Sequence, residues 1–218
     1  LLNVKNGFKN SQKLTRWITY VLCVQIVTAV LAVIFGVLEY QLLSAFQDGI
    51  YTSLEQAFAA GETVIELLQG IGIFSLVAFI SSALLIVPWI YRANYTVRQL
   101  GALNMTYTPA WSIAYYFIPV FNLWKPYQAM KEIWLASADY QDDTSRKVSA
   151  VLPVWWALWL TSNMLGQFIF RLSAETQTLS ELINLNMLSQ VSNVLDIPLA
   201  IVTLLMINSI ESMQNRCK

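Results

Sequence analysis

The sequence predicts an all-α membrane protein with four transmembrane helices and a cytoplasmic helical linker between the second and third, on three observations. The 218 residues are 56% hydrophobic and only 12% charged, with a mean hydropathy of +0.53. A soluble domain carries about 25% charged residues, and half that leaves too little polar surface to cover a soluble body. Four apolar runs reach the roughly 20 residues that a helix needs to cross the hydrocarbon core. Lysine and arginine are confined to alternate connections between those runs, the pattern of a chain that crosses repeatedly.

The first run, WITYVLCVQIVTAVLAVIFGVLE (17–39), is too long for a signal-peptide core, and no small-residue cleavage site follows it. It reads as an uncleaved anchor. A chain that opens on Leu1 is expected to have residues before it. The second run is 67–91, the third VSAVLPVWWALWLTSNMLGQFIF (148–170) and the fourth 187–210. Lys5, Lys9, Lys13 and Arg16 precede the first run. Arg92, Arg98, Lys125, Lys131, Arg146 and Lys147 lie between the second and third, and Arg216 and Lys218 follow the fourth. The connection 40–66 has only acids, and the connection after the third run has only Arg171. Positive residues stay inside, so both termini and the linker 92–147 are expected to be cytoplasmic.

The connections carry their own signals. Leu42, Phe46, Ile50, Leu54 and Phe58 recur every fourth residue, which predicts a separate amphipathic helix on the outer side that stops at Gly61. TLSE (178–181) fits a capping box that starts the last helix. The second helix is expected to run on to Leu100, with Gly101 as its stop. Pro126 suits the first turn of a helix over PYQAMKEIWLASA, with Tyr127, Met130, Ile133, Trp134 and Ser137 on one side and Gln128, Glu132 and Asp139 on the other. The stretch 107–130 is broken by Pro109, Pro119, Asn122 and Pro126, and a crossing there would place Lys125, Lys131, Arg146 and Lys147 outside, and Arg216 and Lys218 with them. It is expected to lie in the inner interface or to enter and return. All eight tryptophans fall at or toward the cytoplasmic face, either as an aromatic belt or because the linker packs against the third run.

Candidate chemistry is sparse. There is no histidine, and HExxH, GxSxG, P-loop and CxxC patterns are missing. Cys23 and Cys217 read as free thiols. A net charge of zero points to no nucleic-acid partner, and no cofactor or metal set is indicated. Asp196 is the acid deepest within a run, with Asn163 and Gln167 at comparable depth in the third. Intramembrane acids are costly and face partners, so a proton or cation site is one reading. A hydrogen bond joining two helices is the other, and it ranks first. In the linker, Arg92, Asn94, Trp111, Pro119, Asn122, Trp124, Pro126, Glu132 and Trp134 crowd one stretch. Glu132 is placed to pair with Arg92 or Arg98, and Asn122 to bond backbone freed by Pro119 or to cap the next helix. Arg92, Arg98 and Lys125 are thinner than the four to eight clustered bases of a lipid switch.

YRANYTVRQLG, followed by TPAWSIAYYFIPVFNLWKPYQAMKEIWLAS, resembles a bacterial membrane-protein family known as domain of unknown function 4328. The resemblance covers the linker and its flanks, 89–137. It implies a multi-pass protein of the bacterial inner membrane with Trp111, Pro119, Asn122, Pro126, Glu132 and Trp134 as signature positions. Ser112–Ile113–Ala114 stands where the family pattern has a glycine-containing step. The resemblance implies no activity, substrate or cofactor. The function expected first is non-catalytic: a structural or accessory membrane protein, in contact with lipids, that acts as a homo-oligomer or with another membrane protein. A small channel or transporter using Asp196 comes second and an enzyme third.

Overall fold

A computed structural model describes residues 4–51, 53–102, 105–138 and 149–216. Among them all regular structure is helical: α1 (Val4–Gln47), α2 (Leu54–Gln99), α3 (Pro109–Ala114), a 3-10 turn (Phe121–Leu123), α4 (Lys125–Ala138), α5 (Val151–Glu175) and α6 (Leu179–Arg216). Three stretches, Gln12–Gln47, Ala59–Gln99 and Leu179–Arg216, are long and apolar enough to cross a membrane by length and composition.

The expectation of four such helices is corrected to three. The third run does fold into a helix, α5, but Trp155, Trp156 and Trp159 together with Thr161, Ser162, Asn163 and Gln167 dilute its apolarity. Indole is amphipathic, and counting it as plain hydrocarbon overstated this run.

The outer connection also differs. The stripe from Leu42 to Phe58 is not one helix, because α1 extends to Gln47 and α2 begins at Leu54. Glycine marks the break: Gly49 has a φ of 77°, and the amides of Gly49 and Ile50 close a Schellman motif on the carbonyls of Phe46 and Ala45. Gly101, with a φ of 99°, ends α2 in the same way, as its position predicts. Gly61 is no stop. It lies inside α2, where a Cβ would come within 2.1 Å of Leu42 Cδ2, so it permits a close approach to α1. The capping box at the start of α6 forms: Thr178 Oγ1 accepts from the Glu181 amide at 3.3 Å, and Glu181 Oε2 accepts from the Thr178 amide at 2.9 Å.

The chain divides into two compact units. Unit 1 comprises Leu1–Leu22, Ile80–Ala157 and Ile201–Lys218, and unit 2 comprises Cys23–Phe79 and Leu158–Ala200. Each of the four long helices contributes a segment to both. Unit 1 has a core of large side chains. Ile18, Trp89, Val97, Met130, Ile133, Leu152, Met206, Ile207 and Ile210 are essentially inaccessible. On α4, Pro126, Ala129, Met130, Ile133, Trp134 and Ser137 are the buried positions, one helical face against that core.

Unit 2 is built the other way round. Its buried apolar residues are Ala29, Ala32, Ala78, Ala200 and Ile183, while Ile73, Phe74, Val77 and Phe79 are more than half exposed. Small residues let helices approach while large apolar ones face outward, the arrangement expected where the surroundings are hydrocarbon.

Candidate functional site

The linker residues converge on a short irregular segment, 105–108, between the end of α2 and α3. An irregular segment cannot satisfy its own backbone, so its hydrogen bonds must come from elsewhere. Here three side chains supply them. Asn94, fully buried on α2, donates through Nδ2 to the Tyr107 carbonyl and to Ser112 Oγ, each at 2.9 Å. Arg98, one turn further along α2, donates from Nε to Asn94 Oδ1 at 3.0 Å. Its terminal nitrogen donates to the carbonyls of Met105 at 3.2 Å and Tyr107 at 2.9 Å. From α4, Glu132 closes the other side: its two oxygens accept from the amides of Thr106 and Tyr107, the latter at 3.0 Å. A guanidinium and a carboxylate thus grip the carbonyl and the amide of one residue, Tyr107. Charge-assisted bonds of this kind are roughly twice as strong as neutral ones.

The expected pairing of Glu132 with Arg92 or Arg98 is therefore replaced. Both Glu132 oxygens accept from backbone amides, and Arg98 faces carbonyls.

Around the clasp the aromatic side chains order themselves. The Tyr107 hydroxyl donates to Gln128 Oε1 at 2.6 Å, and Lys125 Nζ donates to that hydroxyl at 3.3 Å. The same ammonium stands 5.4 Å from the Tyr107 ring centroid and 6.0 Å from that of Tyr115, a cation–π arrangement. Trp111 stacks at a tilt on Tyr115, Tyr115 meets Phe121 edge-on, and Phe121 meets Trp124. The ring contact expected with the third run is present in unit 1: Tyr127 lies 6.4 Å from Trp156, whose indole N–H donates to the Leu123 carbonyl at 3.3 Å.

Pro126 and Trp134 are buried in α4, Pro119 is exposed, and Trp111 and Trp124 are 50% and 40% exposed. Arg92 is half-buried on α2. Asn122 neither caps α4 nor bonds backbone near Pro119 through its side chain. It lies in the 3-10 turn, and its Oδ1 is buried with no hydrogen-bond partner among the described residues. Immediately before it, Val120 has φ 70° and ψ −56°, and the Phe121 amide donates to the Pro119 carbonyl at 2.9 Å. That is a γ-turn of the rare, strained kind, on a β-branched residue for which positive φ is a genuine outlier.

The polar residues of the third and fourth runs are only partly brought together. Ser162 donates to Asp196 Oδ1 at 2.6 Å, joining α5 to α6. Asn163 turns back on its own helix, donating to the Trp159 carbonyl at 2.7 Å, and Gln167 is exposed.

Sequence reading missed three members of the site. Ser112 was noted only as a departure from a family pattern. Its fully buried hydroxyl accepts from Asn94 and donates to the Thr108 carbonyl at 3.0 Å. Ser137 is legible only as part of a helix face, and Gln214 carries no sequence signal of its own. Gln214 Nε2 donates to the Ala93 carbonyl and to Ser137 Oγ, each at 3.1 Å, tying α6 to α2 and α4. A lone glutamine near a chain end carries no sequence signal of burial. The clasp itself had a signal, in Asn94 and Arg98 at i and i+4 on one helix face.

A family model described as a domain of unknown function, DUF4328, matches residues 53–212, well over half of the chain. The chain belongs to the DUF4328 family. The DUF4328 match reaches past the linker at both ends, taking in α2, α4, α5 and most of α6, and it leaves α1 outside. No curated protein and no solved structure matches the chain.

Proposed function

We propose that this DUF4328 protein is a non-catalytic, multi-pass membrane protein that acts by assembly, with unit 1 as a rigid platform on the cytoplasmic side of a bacterial inner membrane. One observation carries the reading: the polar side chains of the linker hold its own backbone in place. Each oxygen of Glu132 accepts from one backbone amide, which makes the carboxylate a fastener of the irregular segment. Asn94 and Arg98 are likewise fasteners. The outcome is a firmly held shape whose outward face is apolar, with Phe117 72% and Val120 64% exposed beside Trp111, Leu123 and Trp124. Such a face suits the headgroup boundary of a bilayer or a second membrane protein.

Charge supports the orientation. Among the described residues, nine of the ten basic residues belong to unit 1 and eight of the ten acidic residues to unit 2. By the positive-inside rule the basic end of unit 1, with the linker, faces the cytoplasm, and the apolar segments of the same unit enter the membrane from that side. In a background lacking Cys23 and Cys217, Ala110→Cys is then shielded from an impermeant thiol reagent outside intact cells, and Glu62→Cys is labelled. The reverse pattern overturns the orientation. The assembly reading is tested by the native mass of the protein extracted with its lipids. A homo-oligomer or a co-extracted membrane protein is the expected result, and a lone, stable monomer counts against it.

Transport through Asp196 remains the second reading. The bond from Ser162 gives that carboxylate a packing role between α5 and α6. Loss of ion flux in Asp196→Asn proteoliposomes with the fold intact is the result that promotes transport to first place.

A further inference from the structure

Unit 2 contains a cavity of about 270 Å³ that the linker reading does not use. We propose that it is a binding site for a small apolar primary amine, held by Glu39. The proposal stands on unit 2 alone and does not depend on the assembly reading.

The cavity lies among α1, α2 and α6. Leu43, Phe46, Ile65 and Leu182 make most of its wall apolar, and Glu39, Asn186 and Ser189 supply the polar part. Its volume is close to the lower end of ligand cavities, about 300 Å³, which suits a single short chain and excludes a two-chain lipid. Glu39 is not loosely placed. Asn186, 6% exposed, donates through Nδ2 to Glu39 Oε2 at 2.6 Å and to the Gly36 carbonyl at 3.0 Å. Gln190 braces Asn186 by donating to its Oδ1 at 2.6 Å and also reaches the Gly36 carbonyl at 3.2 Å. Gly36 makes room for this, since a Cβ there would come within 3.2 Å of Gln190. One carboxylate oxygen is thereby fixed, while Oε1 accepts no hydrogen bond among the described residues.

Charge selects the occupant. Glu39 is the one charged group on the cavity wall, and Arg171 is the one basic residue of unit 2 among the described residues. An anion would meet a carboxylate with no cation to offset it, whereas an ammonium offers three donors to the Glu39 carboxylate and the Ser189 hydroxyl. An apolar chain on that ammonium fills the leucine-lined remainder. The arrangement is a mostly apolar pocket with a few convergent polar groups, the usual form of a small-molecule site.

The test uses the full chain in phosphatidylcholine nanodiscs, with n-octylamine as probe and octanoate as its anionic counterpart, read by calorimetric titration. Octylamine is expected to bind saturably and octanoate not to bind. Glu39→Gln keeps the shape and an acceptor but removes the charge, and it is expected to weaken octylamine roughly tenfold or more. Leu182→Trp fills the cavity, and it should abolish saturable binding while the unfolding temperature without amine stays within a few degrees. Equal octylamine binding by the wild type and both variants would mean simple partition into lipid and would overturn the site. Equal binding of octanoate would overturn the charge assignment. Replacing half of the lipid by phosphatidylethanolamine is expected to leave the octylamine affinity unchanged. Competition there would transfer the site to a lipid headgroup and overturn the free-amine assignment.

Discussion

Unit 1 and unit 2 are made from the same four long helices, yet they are held together by different means. In unit 1 large apolar side chains and indoles are buried, and a buried asparagine, an arginine and a glutamate secure the irregular segment. In unit 2 the buried apolar residues are mostly alanines, a glycine takes a close contact, and the bulky side chains face outward. The first pattern is a core of large side chains of the kind that removal of apolar area from water drives together, with Leu84 and Phe117 of the same unit left 71% and 72% exposed. The second is that of helices associating in hydrocarbon, where no such force acts and close packing and interhelical hydrogen bonds decide. The packing pattern thus changes part-way along each long helix. Substitutions that are severe in one unit should be mild in the other.

Asn94→Leu should have the largest effect. It strips partners from the Tyr107 carbonyl, Ser112 and Arg98 in a fully buried setting, at a cost of about 3 kcal/mol. Seven of the eight tryptophans lie in unit 1, so tryptophan fluorescence during denaturant unfolding in nanodiscs reads the loss directly. An unchanged midpoint would mean that the clasp is not what holds unit 1.

Glu132→Gln comes next, at about 2 kcal/mol. The amide keeps one acceptor but turns an N–H toward a backbone N–H, and the charge-assisted bonds are lost. Limited proteolysis should find faster cleavage in residues 100–108, with helices α5 and α6 protected as before.

In unit 2, Gly61→Ala is expected to cost about 1 kcal/mol by pushing against Leu42, with the fluorescence transition of unit 1 unmoved. Leu42→Ala in the same chain should recover most of that loss, a coupling that a double-mutant cycle measures. If the two losses simply add, the close approach of α1 and α2 at this point is wrong. Hydrogen exchange over residues 40–66 is the readout.

The smallest effect has the opposite sign. Val120→Gly relieves a positive φ on a β-branched residue, whose strain is of order 1–3 kcal/mol, and loses some of that to glycine's greater freedom when unfolded. A net gain of up to about 1 kcal/mol is expected in the unit 1 transition. A loss instead would show that the Val120 side chain makes a contact worth more than the strain.

Each region was legible in the sequence for a different reason. Helical class, three apolar helices, the end of α2 at Gly101, the capping box of α6 and the buried face of α4 are local properties. Periodicity, propensity and cap chemistry within a few residues determine them. Nine of the ten described basic residues belong to one unit, a grouping that became visible only with the structure. The apolar count failed for α5 because a tryptophan is both a membrane-interface residue and a core residue, and composition does not say which. The outer stripe failed because a spacing of four is also met by two helices on either side of a glycine break.

Tertiary structure alone decided the partners. Glu132 lies on α4, and the amides it holds are 25 and 26 residues earlier. Gln214 meets Ala93 across 121 positions, and Asn186 meets Glu39 across 147. A carboxylate or an amide side chain satisfies any suitably placed donor, so residue type leaves open whether Glu132 meets an arginine, a substrate or a backbone amide. The sequence by itself determined which segments are helices and which end of each is charged. Packing determined which polar groups meet, because that depends on where the helices bring them in space.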